Sequence, residues 1–233
     1  MRRNVDRLPS ARFWILKFFN LYLLAVELTK GKQMKPFTIT VATEQHRKYA
    51  QEVSDALAEA AKGRGTGLAQ RSATYIDEKI SQGKAVIALY KEELAGFCYV
   101  ESWEHERYVA TSGLIVKPQF RGHSLAKAIK KEAFHLARRL FPGAKMFGLT
   151  TSLAVMRINS ELGFVPVTFV ELTSDTEFWK GCEDCQYYDV LERSGNKNCL
   201  CTGMLFDPTP KQKEWKGKKS SSLSLEDWTP PTQ

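Results

Sequence analysis

The most informative segment of the sequence is Leu114-Ile-Val-Lys-Pro-Gln-Phe-Arg-Gly-His-Ser-Leu-Ala-Lys127. Its apolar start is typical of a buried β-strand, and Pro118 ends that strand because proline lacks the backbone N–H that a sheet ladder needs. A strong amphipathic pattern over 125–141 predicts a long helix after only a short turn. The stretch therefore predicts a strand, a tight turn and a helix in direct succession.

The turn before that helix has the composition of an anion-binding site. The first turn of a helix leaves backbone N–H groups unpaired and carries the positive end of the helix dipole. Gly122, Ser124 and Ala126 are small enough to let an anion approach those groups, and Arg121 adds a positive charge beside them. Taken alone, the pattern also fits an ordinary strand–turn–helix with a convenient glycine.

Outward from this stretch, the hydrophobic pattern alternates between strands and helices. It predicts strands at 37–41, 85–90, 94–103, 108–116, 146–150 and 165–170, more strand within 199–206, and helices at 44–62, 73–82, 125–141 and 153–162. The three strand runs between 85 and 116 are separated by charged turns and predict an antiparallel meander. The expected fold is α/β (α+β), with a mixed, mostly antiparallel twisted sheet and helices on both faces.

The composition, with 43% hydrophobic and 26% charged residues, is that of a soluble globular protein. The net charge of +8 is concentrated at one end, because residues 1–33 hold seven Lys or Arg against two Asp or Glu and so carry +5. Residues 34–206 carry +2 and residues 207–233 carry +1. A nearly neutral body is weak evidence for nucleic-acid binding.

The two ends of the chain differ in composition from the body at 34–206, which we expect to form a single domain. Residues 1–33 combine a basic start with an apolar run at 13–26 that is too short to cross a bilayer comfortably. Three interpretations are open: an amphipathic helix on a membrane surface, a helix packed on the domain, or upstream sequence translated ahead of a true start at Met34, which we favour. Residues 207–233 are rich in Pro, Lys and Ser and predict a disordered tail.

The segment Arg121-Gly-His-Ser-Leu-Ala126, preceded by a strand and Pro118 and followed downstream by Gly163-Phe164, resembles the GNAT superfamily of N-acyltransferases from Thr38 to Phe206. The resemblance implies acetyl-CoA, or succinyl-CoA, as the co-substrate. Strand backbone would pair with the pantetheine arm, and the amides from Gly122 to Ala126 would hold the pyrophosphate. The implied cofactor residues are Leu114, Ile115, Val116, Arg121, Gly122, His123, Ser124, Leu125 and Ala126.

Two positions depart from the family pattern. Ser124 replaces the signature glycine, which predicts weakened rather than abolished phosphate binding. Asn159 stands where many members have a tyrosine that protonates the leaving thiolate, and an amide can only donate a hydrogen bond there. For the base that takes the amine proton we select Glu101, which alternates with Phe97 and Tyr99 on one strand face, although a solvated, idle carboxylate fits the same pattern.

The acceptor is expected to be a small amine. The segment 64–71, which in this superfamily usually contacts the acceptor, carries Arg64 and Arg71, and guanidinium groups bind carboxylates in a bidentate manner. Two solvated surface arginines fit equally well. The whole pattern also resembles small bacterial members associated with arginine biosynthesis, which implies N-acylation of the α-amino group of glutamate in the cytoplasm.

Four cysteines form a second group: Cys182, Cys185, Cys199 and Cys201. A CxxC pair followed by a CxC pair could bind a structural zinc ion through four thiolates, with Cys199 and Cys201 on one side of a strand. Free packed thiols and a redox disulfide are the alternatives, and four thiolate ligands would leave no open position for catalysis.

Other classes of function stay open at this point. The departures at Ser124 and Asn159 fit a regulatory module that binds acyl-CoA without turnover. The charge and the cysteines fit a nucleic-acid-associated protein, which we do not expect, and a peptide or protein N-terminus is the main alternative acceptor. We expect no stable membrane insertion, and a homodimer is compatible with the sequence.

Overall fold

The computed structural model describes residues 37–64, 71–183, 185 and 187–209, with the side chains of 63 and 64 left out. Seven strands form one sheet in the order β1-β2-β3-β4-β5-β7-β6. Their bounds are β1 Phe37–Val41, β2 Ala85–Tyr90, β3 Glu93–Trp103, β4 Tyr108–Val116, β5 Lys145–Thr150, β6 Val165–Val167 and β7 Thr202–Phe206. Every pairing is antiparallel except that of β4 with β5. The predicted mixed, mostly antiparallel sheet is therefore confirmed.

The described residues include six α-helices: α1 Ala50–Arg64, α2 Ala73–Ser81, α3 Leu125–Leu140, α4 Leu153–Glu161, α5 Thr176–Lys180 and α6 Tyr188–Arg193. Two elements differ from those expected. The first turn of the helix predicted at 44–62 is a 3-10 segment, Glu44–Tyr49, and the strand predicted at 165–170 ends at Val167 in a 3-10 turn, Phe169–Glu171. The short helices α5 and α6 were not predicted.

Helices cover both faces of the sheet. On one face α3 packs over a core that includes Val86, Cys98 and Ile129. On the other face α1 and α2 cover the β1–β4 half around Val53, Ile76 and Phe97, and the segment from Phe169 to Cys201 covers the β5–β7 half around Phe147, Trp179 and Leu191. That second face therefore carries two separate groups of helices, with a gap between them.

The sheet itself opens at the same place. β4 pairs with β3 from Tyr108 to Val116, but it pairs with β5 only through Tyr108, Ala110 and the residue between them. Beyond Ala110 the two strands part, so the β4 edge that faces β5 is unpaired from Thr111 onward. A register shift between Phe97 and Tyr99, with Gly113 at a φ of +65°, bends β4 at this point.

The predicted division at 33/34 and 206/207 stays a prediction. Residues 1–36 and 210–233 lie outside the described residues, and so do the interpretations given to both ends. Within the described part of the chain, every helix is too short or too polar to cross a membrane.

Candidate active site

A cavity of about 200 Å³ occupies the gap between the two groups of helices, above the point where β4 and β5 part. Its walls come from both halves of the sheet. Arg71, Tyr99 and Glu101 line one side, and Asn159, Phe178 and Cys182 line the other. The floor includes backbone from Thr111 to Leu114 of β4 and Gly148 of β5. The opened sheet therefore supplies main-chain groups to the bottom of a cavity walled by polar and aromatic side chains.

Glu101 is held in that wall by two residues of α2. Lys79 Nζ donates to Glu101 Oε1 at 2.6 Å, and the hydroxyl of Tyr75 donates to Oε2. Both side chains of the ion pair are largely buried, with exposed fractions of 9% for Lys79 and 17% for Glu101. Burial raises the pKa of Glu101 to about 7, which the nearby guanidinium of Arg71 opposes, and burial lowers the pKa of Lys79. A carboxylate that titrates near neutrality is suited to accept a proton.

Arg71 lies at the start of α2 and lines the same cavity. Its Nε donates to the hydroxyl of Tyr99 at 2.9 Å, and its guanidinium lies 5.1 Å from the centre of the Tyr75 ring. These contacts hold the guanidinium group of Arg71 beside Glu101. The side chain of Arg64 lies outside the described residues, so its predicted role in acceptor binding stays a prediction.

Asn159 on α4 forms part of the opposite wall and is 1% exposed. Its Nδ2 lies 3.6 Å from Met204 Sδ, while its Oδ1 has no hydrogen-bond partner among the described residues. Buried polar atoms in proteins are nearly always paired. A ligand that enters the cavity would have this carbonyl oxygen, or the amide nitrogen after a rotation of the side chain, as a partner.

A second, larger groove continues along β4 toward its end. It has a volume of about 570 Å³ and is lined by residues of α1 and by Ile115, Val116, Lys117, Pro118 and Arg121. Leu114 lines the first cavity, so consecutive residues of β4 pass from one space to the other. The groove ends beside Arg121, whose Nε donates to the carbonyl of Val116 at 3.2 Å.

The start of α3 lies next to Arg121. Ser124 is the residue before the helix and has a left-handed backbone, with φ at +56° and no hydrogen bond from its side chain to the helix. In contrast, Ser72 and Ser152 cap α2 and α4 through their side chains. His123 Nδ1 donates to the carbonyl of Arg121 at 2.9 Å, and Leu125 is buried beneath the turn while Gly122 and Ser124 are exposed. The hydroxyl of Ser124 therefore leaves the first amides of α3 uncapped.

The four cysteines Cys182, Cys185, Cys199 and Cys201 line one small cavity of about 80 Å³ under α6. Burial raises the pKa of Cys182 to about 11 and that of Cys201 to about 12, and the neighbouring thiols add to both shifts. The thiols have the right chemistry for zinc, but no group of three or more His, Cys, Asp or Glu in the described chain is arranged to hold a metal ion. The expectation that Cys199 and Cys201 share a strand is wrong, because β7 begins at Thr202.

Sequence reasoning missed three side chains of this site, of which Lys79 and Lys130 are buried and Tyr75 is partly buried. Tyr75 and Lys79 are four residues apart on α2, so they share one helix face and reach Glu101 together. Lys130 lines the main cavity from α3. Its signal was available, since it lies next to Ile129 in the apolar stripe of that helix, where a lysine is unusual.

The fold and the site together define an α/β domain with an opened sheet, a groove along the exposed strand edge and an uncapped helix start at the end of the groove. Residues 53–158 match the model of the acetyltransferase (GNAT) family. Comparison with curated proteins gives no match.

Solved structures of low identity share the fold. The N-acetylglutamate synthase from Neisseria gonorrhoeae, complexed with coenzyme A and N-acetyl-glutamate, matches with a TM-score of 0.53 at 18% identity over 75% of this chain and 35% of that one. Rv2747 from Mycobacterium tuberculosis, in complex with CoA and NLQ, gives 0.50 at 16% identity over 73% and 98%. A GNAT-family acetyltransferase from Staphylococcus aureus Mu50 gives 0.52 at 10% identity over 74% and 99%. This chain thus spans about a third of the gonococcal synthase.

Proposed function

We propose that this protein is an acyl-CoA-dependent N-acyltransferase that acts on the amino group of a small acceptor. The observation that carries the proposal is the unpaired β4 edge from Thr111 to Val116, which connects the cavity to the groove beside Arg121. A pantetheine arm contains two amides, so it can pair with that edge as an added strand does. The amides from Gly122 to Ala126 and the guanidinium of Arg121 would bind the pyrophosphate.

The chemistry follows from the groups around the cavity. Glu101 takes the proton of the acceptor ammonium, directly or through a water molecule, and the free amine attacks the thioester carbonyl. The new N–C bond forms, the C–S bond breaks, and the coenzyme A thiolate leaves. The nitrogen then gives up its second proton to solvent to form the neutral amide, and the thiolate takes a proton from solvent. Asn159 contributes a hydrogen bond at most, because an amide is no acid at neutral pH.

For the acceptor we propose an acidic amino acid such as glutamate. The fork of Arg71 lies in the cavity wall beside Glu101 and can bind a carboxylate in a bidentate manner. The gonococcal synthase of the same fold was solved with N-acetyl-glutamate. As part of the same proposal, that acceptor implies a cytoplasmic role in arginine biosynthesis.

The direct test is a coenzyme A release screen over amino acids and peptides with acetyl-CoA and succinyl-CoA. We expect turnover with glutamate. Turnover only with peptides would move the acceptor to a polypeptide N-terminus. Tight CoA binding without release for any amine would instead support a non-catalytic acyl-CoA-binding module, and no CoA binding at all would refute the proposal.

Removing the guanidinium tests the acceptor assignment. Arg71→Ala is expected to raise the KM for glutamate by about 10- to 100-fold, since charge-assisted hydrogen bonds contribute about 1.5–3 kcal/mol, and to leave the KM for acyl-CoA nearly unchanged. Arg71→Lys keeps the charge and loses the planar guanidinium, so its KM for glutamate should lie between those of the wild-type protein and Arg71→Ala. Arg193→Ala on α6 is the control, because Arg193 is exposed and pairs with Asp189 of its own helix. Equal kinetics in all variants would contradict the carboxylate role.

A further inference from the structure

Lys130 occupies a buried position of α3 where an apolar residue is expected. It lies in the buried stripe of α3 with Ile129, Ala133 and Ala137, and it is 3% exposed. Lysine is almost never fully buried unless its charge is paired, because moving an ammonium out of water costs several kcal/mol. An anionic partner would offset this cost.

The partners of Lys130 in the structure are neutral. Its Nζ donates to the carbonyl oxygen of Thr111 at 3.0 Å and to the hydroxyl of the same residue. Within the described part of the chain, its ammonium is in no ion pair with an Asp or Glu side chain. Burial lowers the pKa of Lys130, and the nearby thiol of Cys98 opposes that shift. The cation is thus buried with oxygen acceptors but without a counter-ion.

Lys130 also sits at the closed end of the opened sheet. Thr111, which holds it, is the first residue of β4 beyond the last pairing with β5, and both residues line the main cavity together with Gly148 and Asn159. The unpaired Oδ1 of Asn159 belongs to the same space. One buried amine and one buried amide therefore face the point where the two strands part.

The two cations of the cavity lie on opposite faces of the sheet. Arg71 contacts Tyr99 and Tyr75 on the face covered by α1 and α2, whereas Lys130 reaches the cavity from α3 on the other face. On the proposed reaction path the acceptor occupies the Arg71 side. The acyl chain of the donor, bound to a thioester seated on β4, is then the group that extends toward Lys130.

We propose that Lys130 binds a carboxylate at the end of the acyl chain, so that the preferred donor is the CoA thioester of a dicarboxylic acid. This inference rests on the proposed acyltransferase function. An entering carboxylate supplies the missing counter-ion, and the Nδ2 of Asn159 can donate to it after a rotation of that side chain. A neutral acyl chain of the same length leaves the ammonium buried and unpaired, which makes it the poorer donor.

The test compares succinyl-CoA with butyryl-CoA, which has the same chain length and no charge, and with acetyl-CoA. We expect the wild-type protein to favour succinyl-CoA over butyryl-CoA by at least about tenfold, both in kcat/KM and in direct binding by calorimetry. Lys130→Met keeps the buried stem and removes the charge, so it should lose most of that preference. Lys130→Gln, which keeps hydrogen-bond donors, should lose it too. Binding of free coenzyme A should be unchanged in both.

Lys131→Met is the control, because Lys131 is the exposed neighbour on the same helix. Circular dichroism and thermal unfolding of each variant report whether the fold is kept. The inference is overturned if the wild-type protein binds butyryl-CoA as well as succinyl-CoA, or if Lys130→Met and Lys130→Gln weaken all three donors equally. Neither result touches the proposed function, which fails only if coenzyme A does not bind or no donor is turned over.

Discussion

At the scale of single residues, Ser124 adopts a backbone that side chains disfavour. A left-handed φ costs a residue other than glycine about 1–2 kcal/mol, because its Cβ approaches the following carbonyl oxygen. The family signature has glycine at this place, and the structure gives the physical reason for it. The hydroxyl of Ser124 does not offset this cost by capping, since it makes no hydrogen bond to the helix.

Ser124→Gly is therefore expected to stabilise the fold. Relief of the backbone cost, less the extra entropy of glycine in the unfolded chain, leaves a gain of about 0.5–1 kcal/mol. Coenzyme A should also bind more tightly, because the phosphates would meet no side chain at that position. Ser160→Gly on the exposed surface of α4 is the matched control and should destabilise. A lower melting temperature for Ser124→Gly would contradict the strain assigned to this residue.

Glu101 should set the acid limb of the pH profile. Glu101 can act as a base only when it is deprotonated, and burial raises its pKa to about 7. The value of kcat/KM should therefore rise as pH increases through about 7 and then level off. Glu101→Gln should lower kcat by about 100-fold and abolish that limb. Glu92→Gln, at an exposed carboxylate, should keep the wild-type profile. A profile with the same limb in Glu101→Gln would assign the titration to another group.

At the scale of elements, the seating of α3 on the sheet depends on a glycine in β3. A Cβ on Gly96 would lie 2.6 Å from Ile129 Cδ1 and 2.7 Å from the carbonyl oxygen of Ile115. The first atom can move, but the second belongs to the backbone of β4. Gly96 thus fixes the distance between α3 and the strand that lines the groove.

Gly96→Ala is expected to destabilise the protein by about 1–3 kcal/mol, the usual cost of overpacking a core. Because the added Cβ would also displace the backbone of β4 at Ile115, which lines the groove, the affinity for coenzyme A should fall as well. Gly143→Ala provides the control, since nothing lies within 4 Å of a Cβ built there. Chemical denaturation of both variants measures the difference, and equal stabilities would show that α3 is not held by this contact.

Most elements could be predicted because their periodicity is strong and local. The stripe of α3 and the apolar, β-rich runs of β2, β3 and β4 are examples. The short helices α5 and α6 could not be predicted, because their aromatic residues acquire meaning only through packing on Phe147 and Leu205 of distant strands. The same holds for the site. Glu101 was visible in its strand, whereas its contacts with Tyr75 and Lys79 depend on where α2 packs.

At the scale of the whole molecule, the sheet consists of two parts that share one short parallel pairing. Only residues 108–110 of β4 meet residues 145–147 of β5. Beyond them, the amides of β4 that face β5 have no partner strand, so their protection from solvent exchange is expected to be low in the free protein. A ligand bound along that edge would change this.

Hydrogen exchange can therefore locate the cofactor without any turnover. Coenzyme A should slow exchange by about tenfold or more in residues 112–116 and in the first turn of α3. Amides of β2, which lie between β1 and β3, are paired already and should not change. Protection that appears in the 180–201 segment instead would place the ligand elsewhere.

The unpaired strand edge also bears on how such a protein changes over evolutionary time. Hydrogen bonds from peptide groups survive substitution, because every residue except proline presents the same N–H and C=O. Neighbouring side chains are then free to diverge while the binding edge persists. Solved proteins share this fold at only 10–18% identity. For the proposed function, substitutions in this architecture should therefore alter which acceptors and acyl chains are used long before they remove the strand edge that binds coenzyme A.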